Sequence, residues 1–475
     1  MENSHLYHIP SSFTDATATE LGPKGQIAHS DLISHTKRLE QKLWEVSDGV
    51  WTLVGNGLSN QTFVRGPKGI IAIDTGECCE EMAAALELLC EETSDQIAAV
   101  IYTHFHYVDG TKAIFERQDN SHIPIWGHEK ILQNRRNYGM EISTAAGRGL
   151  MYQFGIALPA NGPDSVVNAG LGLAFRNQQH APFTPGFVEP TNTISQKTEM
   201  ELAGLHIELT PSPSDADDSV TIWIPDLDLC VNNLVWPALF NIFAIRGEEF
   251  RDPRVLLEGL DHILELEPAF LVSTHGPPLI GKETIHDEVT KYRDSIQFLW
   301  DQSVRGINQG LSSVELSNFV QLPSQFKNSY LTSQLYGVAE HHVRQIYSGL
   351  RGWFDGNEAN LFPVEPARRV EKLIEGFGGI ERVRDHAKNA IESDDLRWGI
   401  ELCSWLVTSN SDIDNHKKAI PSDDQLLLAE CLRKVAQRTT SANVRNWCLT
   451  RALEREGNID LSRHRRHRFS EHVVL

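Results

Sequence analysis

The sequence predicts an α/β layered core followed by an all-helical region, on three observations. Short apolar runs alternate with helical patterns up to about residue 288, strand signals nearly vanish beyond it, and 475 residues are too many for one ordinary core. The expected division is an N-terminal extension (1–42), an α/β domain (43–288), a helical domain (289–457) and a basic C-terminal tail (458–475).

Residues 1–40 are polar and irregular, and are expected to lie over the surface of a later domain. From Leu43 the pattern changes. Val50, Thr52 and Val54 alternate with their neighbours, Gly55 and Gly57 punctuate, and Thr62-Phe63-Val64 follows. Gly66-Pro67-Lys68-Gly69 reads as a turn, and Ile70-Ile71-Ala72-Ile73 as a strand ending at Asp74, so this stretch is a meander of short strands. Residues 79–91 carry apolar side chains at helical spacing. Ala98–Thr103 is a buried strand running directly into His104, with helix again over 111–117. Leu205–Leu209 and Val220–Ile224 are the clearest strands of a second strand-rich section over 196–235. Helix covers about 254–266, and the apolar strand Phe270–Thr274 ends at His275. Helical pattern then runs to about 455, interrupted by the loop Gly352–Pro363.

Composition narrows the function. Hydrophobic residues make up 40% and charged residues 23%, a globular balance. Forty-three basic against 64 acidic residues give a net charge of −21, which argues against a nucleic-acid partner. An anionic substrate then needs a local cationic pocket or a metal. The polar start has no basic stretch followed by an apolar one, so no signal peptide is expected, and no run of about 18 apolar residues predicts a membrane span. Seven cysteines with no C-x-x-C pair suit free thiols in a reducing compartment, so a cytoplasmic location is expected.

The sharpest chemical feature is Thr103-His104-Phe105-His106-Tyr107-Val108-Asp109-Gly110. Histidines at i and i+2, just after a buried strand, direct both imidazoles from a rigid support, as a divalent metal requires. Otherwise they are ordinary packed histidines. His275, at a second strand end in Ser-Thr-His-Gly, and Asp74, in Ile-Asp-Thr-Gly, favour the metal reading. Asp74 is expected to orient a ligand histidine or the backbone around it; the plainer alternative is a turn aspartate.

A strand ending in I-D-T-G, then T-H-x-H, then a late strand-end histidine resembles the metallo-β-lactamase superfamily. Leu58-Ser59-Asn60, Ile101–His104, Asn168–Gly172, Pro190–Ile194, Arg246-Gly247 and the Gly352–Leu361 string resemble the alkylsulfatases more specifically, the last resembling the start of their dimerisation domain. The resemblance covers roughly 40–455 and implies an αββα sandwich, a two-zinc site at one edge, and helices that clasp a second subunit in a C₂ dimer.

Carried over residue by residue, His104 and His106 match the first two metal-binding histidines and His275 the late one. The segment after His106 is one residue short, so Asp109 falls where the family has its third histidine and Val108 where it has an aspartate. The first downstream glutamate aligns best with Asp215, with Asp217 and Asp218 as alternatives, and the bridging glutamate falls on Asn233. The implied metal ligands are thus His104, His106, Asp109, Asp215, Asn233 and His275, with a first site of His104, His106 and Asp215 and a second that is weaker, different in metal or empty. Arg246 matches the arginine used on sulfate, or else is a surface arginine. Tyr152 matches a tyrosine near the leaving group, and Asn60 a motif residue that either contacts substrate or is structural. Trp236, Phe240 and Phe243 belong to the core or to an apolar substrate pocket.

Three readings follow. The first is hydrolysis of a sulfate or related ester by metal-activated water, with Asp109, Arg246 and Tyr152 as catalytic residues and one or two zinc ions as cofactor. Its substrate is a small molecule with an anionic group and an apolar part. The second places iron or manganese in the same two-histidine, one-carboxylate set for redox, lyase or isomerase chemistry. The third is a dimeric binding protein without catalysis.

Overall fold

The computed structural model describes residues 12–13, 18–118, 122–137, 142–326, 329–409 and 421–461. Strands β1 (Thr19–Leu21) and β2 (Ile27–His29) pair antiparallel and lead into helix α1 (Ser30–Leu39). A meander follows: β3 (Lys42–Ser47), β4 (Val50–Val54), β5 (Gln61–Gly66) and β6 (Gly69–Ile73). Helix α2 (Cys79–Glu92) then crosses over to β7 (Ile97–Ile101), which runs parallel to β6. α3 (Thr111–Gln118), β8 (Ile125–His128), α4 (Ile131–Asn137), α5 (Ser143–Gln153) and β9 (Asn192–Ile194) complete a seven-stranded sheet in the order β3 to β9.

A six-stranded sheet follows: β10 (Thr198–Leu202), β11 (Leu205–Pro211), β12 (Val220–Ile224), β13 (Leu229–Asn232), β14 (Phe270–Ser273) and β15 (Leu279–Ile280), with α6 (Pro253–Leu266) crossing between the parallel pair β13 and β14. The remaining described elements are helices: α7 (Lys282–Asn308), α8 (Ser313–Phe319), α9 (Ala339–Arg351), α10 (Pro366–Phe377), α11 (Ile380–Glu392), α12 (Leu396–Ser409), α13 (Asp423–Arg438) and α14 (Ala442–Arg455).

The two-residue period of the strands builds the layers. Ile71, Ile73, Ala99 and Ile101 face Ile207, Leu209, Ile222, Val231 and Val272 across the space between the sheets. The alternate residues Ile70, Ala72 and Val100 face outward against Met82, Ala85 and Leu89 of α2. On the second sheet, Cys230 and Leu271 face outward against Leu260 and Ile263 of α6 and Ile296 of α7. The result is the αββα sandwich of the metallo-β-lactamase fold. Each fully buried branched side chain in these layers contributes on the order of 2 kcal/mol.

Register fixes where chemistry can sit. Ile73 stands beside Ile101, and Asn232 beside Ser273, in parallel pairs. Asp74, His104, Asn233 and His275 therefore emerge at the ends of four strands on one edge, the usual place for ligands in open α/β sheets.

Two expected boundaries change. The one at 288/289 falls inside α7, whose Ile285, Val289, Tyr292 and Ile296 pack in one core with Leu234, Trp236 and Leu260, so the helix belongs to the α/β layer at its start. Within the expected extension 1–42, the described residues do more than cover a surface: α1 buries Leu32, His35 and Leu39, and Ala28 and Leu32 join that same core. Of the expected tail, residues 462–475 lie outside the described residues.

The helical part closes on the α/β part through Arg445 of α14, which is fully buried. Its Nη1 donates to the Ser165 carbonyl at 2.8 Å, and its Nη2 donates to the carbonyls of Pro163 at 3.3 Å and Ile27 at 3.4 Å. Replacing it by alanine strands those carbonyls and opens a cavity. We expect Arg445→Ala to lower stability by on the order of 3 kcal/mol, read as a fall in the urea midpoint with the slope unchanged.

Candidate metal centre

His104 ends the β7 segment and is fully buried. Asp74 accepts both donors of Thr103, the backbone N–H at 2.8 Å and the hydroxyl at 2.6 Å. With its proton committed to Asp74, the Thr103 oxygen accepts the Nδ1–H of His104 at 2.9 Å. The lone pair of His104 is thereby left on Nε2, pointing into the site. Burial pushes the His104 imidazole down to about 4, with Asp215 pulling the other way. Burial also lifts the Asp74 carboxyl to about 7, opposed by the two bonds from Thr103.

A single turn of 3-10 helix, Phe105–Tyr107, turns His106 back towards His104. His104 Nε2 and His106 Nδ1 lie 3.1 Å apart, and Asp215 Oδ2 lies 2.8 Å from the latter and 3.5 Å from the former. These three donor atoms converge within 4.8 Å of one another. Two neutral nitrogens and a carboxylate oxygen in this arrangement fit one divalent ion with open positions. His106 keeps 13% of its side chain exposed, so the site meets solvent on that side.

The other oxygen of Asp215 is taken by Arg251. Arg251 Nη2 lies 2.5 Å from Oδ1, its Nε donates to the Asp215 carbonyl at 3.1 Å, and its Nη1 donates to the Asn241 carbonyl at 2.6 Å. Burial alone would raise the Asp215 carboxyl, but Arg251, then His106 and His104, outweigh it and hold it well below the usual carboxylate range. Arg251 and Asp215 thus form a fixed pair that presents one anionic oxygen to the histidines. Of the alternatives considered for this position, Asp217 is spent on Lys130 at 2.7 Å. Asp218 is fully buried, faces His106 and Asn134, and is pushed up to about 7 by burial.

Other expected site residues are placed differently. Asp109 turns away from the cluster: its carboxylate pairs with both terminal nitrogens of Arg135, at 2.8 and 3.3 Å. Local packing explains this. Gly110 must enter α3 directly, where a Cβ would lie 1.9 Å from the Thr75 carbonyl, and Asp109 is pinned by backbone bonds to Gly76 and Gly186. Tyr152 donates to Glu454 at 2.8 Å and its ring lies tilted against Trp447, so its hydroxyl faces α14 rather than the histidines. Asn60 spends its side-chain donors on the carbonyls of Ser273 and Gly276, at 2.8 and 2.7 Å, clamping the turn that carries His275 instead of reaching for substrate. Asn233, at the end of β13, donates to Ser219 at 3.2 Å.

His275 donates Nδ1–H to the Leu58 carbonyl at 3.0 Å, and its Nε2 faces the Tyr107 hydroxyl at 3.5 Å. Arg246 lies in the site wall. It pairs with Glu248 through Nε at 2.8 Å and through Nη2, and reaches the Tyr336 hydroxyl at 3.5 Å. Trp236 and Phe240 stack on one another as core, whereas Phe243 remains partly exposed.

Sequence reasoning missed Arg251, Glu248, Tyr107, Gln153 and Tyr336. Gln153 accepts from the Arg246 backbone at 3.2 Å and donates to the Tyr336 hydroxyl at 3.1 Å. Only Tyr107 carried a signal, its place inside the histidine motif. The relay from Asp74 through Thr103 generates a prediction. Thr103→Val should weaken binding of a divalent ion by about 10- to 100-fold in competition with a chelator. Unchanged affinity in a folded variant would remove the relay from any role.

Comparison with known proteins agrees with this architecture. Residues 312–458 match the family model described as alkyl sulfatase dimerisation. A linear primary-alkylsulfatase of a Pseudomonas strain is 31% identical over 409 residues, covering 84% of this chain and 74% of that protein. The alkyl/aryl-sulfatase BDS1 of Saccharomyces cerevisiae is 27% identical, over 87% of this chain and 63% of its own length. The solved structure of the inverting sec-alkylsulfatase Pisa1 from Pseudomonas sp. superposes with a TM-score of 0.83 at 24% identity, over 93% of this chain and 70% of that one. With the paired sheets, the strand-end histidines and this shared length, the chain belongs to the alkylsulfatases, hydrolases of the metallo-β-lactamase fold.

Proposed function

We propose that the protein hydrolyses the sulfate ester, or a related anionic ester, of a small molecule with an apolar part, and that it does so with a divalent ion held by His104, His106 and Asp215. The observation that carries this reading is the convergence of their three donor atoms beside two arginines. The bound ion would supply Lewis-acid activation of water and of an ester oxygen. The chain's own residues do the rest. His104 is held in one tautomer by Thr103, and Asp215 is held in one orientation by Arg251.

Charge supports an anionic substrate. Asp215 and Glu248 are matched by Arg251 and Arg246, so these four side chains are neutral together. A divalent ion on neutral histidines then leaves the site positive, although the protein as a whole is at −21. Arg246 is the group suited to sulfate oxygens, because its fork can serve two of them, and it does so in competition with Glu248. The partly exposed Phe243 lies close along the chain and is available to the apolar part of the substrate.

The same donor set also suits iron or manganese, which keeps a redox or lyase reaction as the second reading. Elemental analysis of the purified protein, beside His104→Ala and a sulfate-release assay on alkyl sulfates, separates them. Zinc that is lost in the variant together with sulfate release supports the hydrolase. Stoichiometric iron with no sulfate release favours the second reading. Protein that takes up no ion after reconstitution leaves only a binding protein.

We further propose a homodimer. In the segment matched to the dimerisation family, Trp353 and Phe362 are 75% and 93% exposed, with Leu361 and Val364 beside them. Apolar side chains this exposed in one stretch mark an interaction surface. Phe362→Asp with Trp353→Asp should shift sedimentation from dimer to monomer, and an unchanged dimer would place the interface elsewhere.

A further inference from the structure

We infer that Tyr107 fills the place where a second metal ion would sit, so that the protein carries one divalent ion per chain. This rests on the metal reading of His104, His106 and Asp215 given above. The ring of Tyr107 stands among the histidines: its centroid is 5.1 Å from that of His104, 6.0 Å from that of His106 and 5.3 Å from that of His275. The side chain is 5% exposed and its hydroxyl faces His275 Nε2 at 3.5 Å. The imidazole of His275 therefore meets a phenol.

Two of the other positions offer a second ion nothing. Val108 is fully buried and bridges to Gly76, offering no ligand atom. The carboxylate of Asp109 is held by Arg135. Asn233 donates Nδ2–H to Ser219, and its buried Oδ1, without a hydrogen-bond partner, carries no charge; Asp215 has one oxygen on Arg251. Asp218 is buried beside His106, with neither oxygen hydrogen-bonded. A second dication beside the first would need carboxylates to offset their repulsion, and the two at hand, Asp215 and Asp218, stand beside His106. The His275 turn is nonetheless firmly built, through Asn60 and the Leu58 carbonyl. Its histidine serves as a partner that orients Tyr107.

The test counts ions without recourse to activity. The full-length protein is stripped with chelator and loaded with Zn²⁺ or Co²⁺ by equilibrium dialysis, followed by elemental analysis. One equivalent is expected for the wild type and for His275→Ala, and none for His104→Ala. The Co²⁺ form should give a paramagnetic resonance signal proportional to loading, with no loss from spin coupling between neighbouring ions. Two equivalents in the wild type, falling to one in His275→Ala, would overturn the inference while leaving the metal reading intact. No bound ion in the wild type would overturn the metal reading itself.

Discussion

Thr103 is the residue on which both sheets and the site converge. Its N–H and hydroxyl go to Asp74, its oxygen accepts from His104, and its carbonyl accepts from Val220 of the second sheet at 2.9 Å. Every polar group it owns is committed. The parallel pairing of β6 with β7 brings Asp74 within reach, and the parallel pairing of β13 with β14 brings Thr274 to 3.4 Å from the same hydroxyl oxygen. A strand end alone would leave His104 free to choose either tautomer. The buried aspartate removes that choice, so backbone register is converted into the direction of one lone pair.

The cost of this arrangement lies in the charges it buries. Asp215 and Arg251 are both nearly inaccessible, and removing water from such ions costs several kcal/mol each. Pairing offsets most of that cost only if the geometry is good, and here Arg251 spends three nitrogens on Asp215 and the Asn241 carbonyl. Glu248 stands 3.8 Å from Arg251 and also pairs with Arg246, so the arginine that would meet an anionic substrate is not left as an uncompensated charge. These four side chains balance one another, with the buried carboxyls of Asp74 and Asp218 beside them.

Much of this was legible in the sequence. The I-D-T-G and T-H-x-H strings and the Ser-Thr-His strand end all sit where the pattern of strands and glycines puts them, and Asp215 meets the two histidines. Strand patterning is local, and it fixes which residue stands at a strand's end. Side-chain direction is not local. Asp109, Tyr152 and Asn60 were assigned by position along a family motif, but Arg135, Glu454 and the Ser273 carbonyl claim them in space. Arg135 and the backbone bonds to Gly76 and Gly186 are what hold Asp109 away. Arg251 gave no signal because its partner is 36 residues distant in sequence.

The helical half is not a passive appendage to this site. Tyr336 lies beyond α8, yet its hydroxyl contacts both Gln153 and Arg246, and its ring packs against Trp236, which in turn packs against His275. Its backbone carbonyl accepts from Ser441 at 2.8 Å, at the start of α14. A chain of direct contacts therefore runs from α14 to the late histidine. The apolar core follows the same route, joining Ala442, Val343 and Tyr336 to Leu234 and Leu58 without a break. An α/β domain cut at residue 288 would lose the far wall of its own site and would expose the face of the second sheet that α7 covers. The inner helices share one hydrophobic core with the second sheet, whereas α10 to α14 keep a core of their own and reach the first through Ala442 and Tyr336.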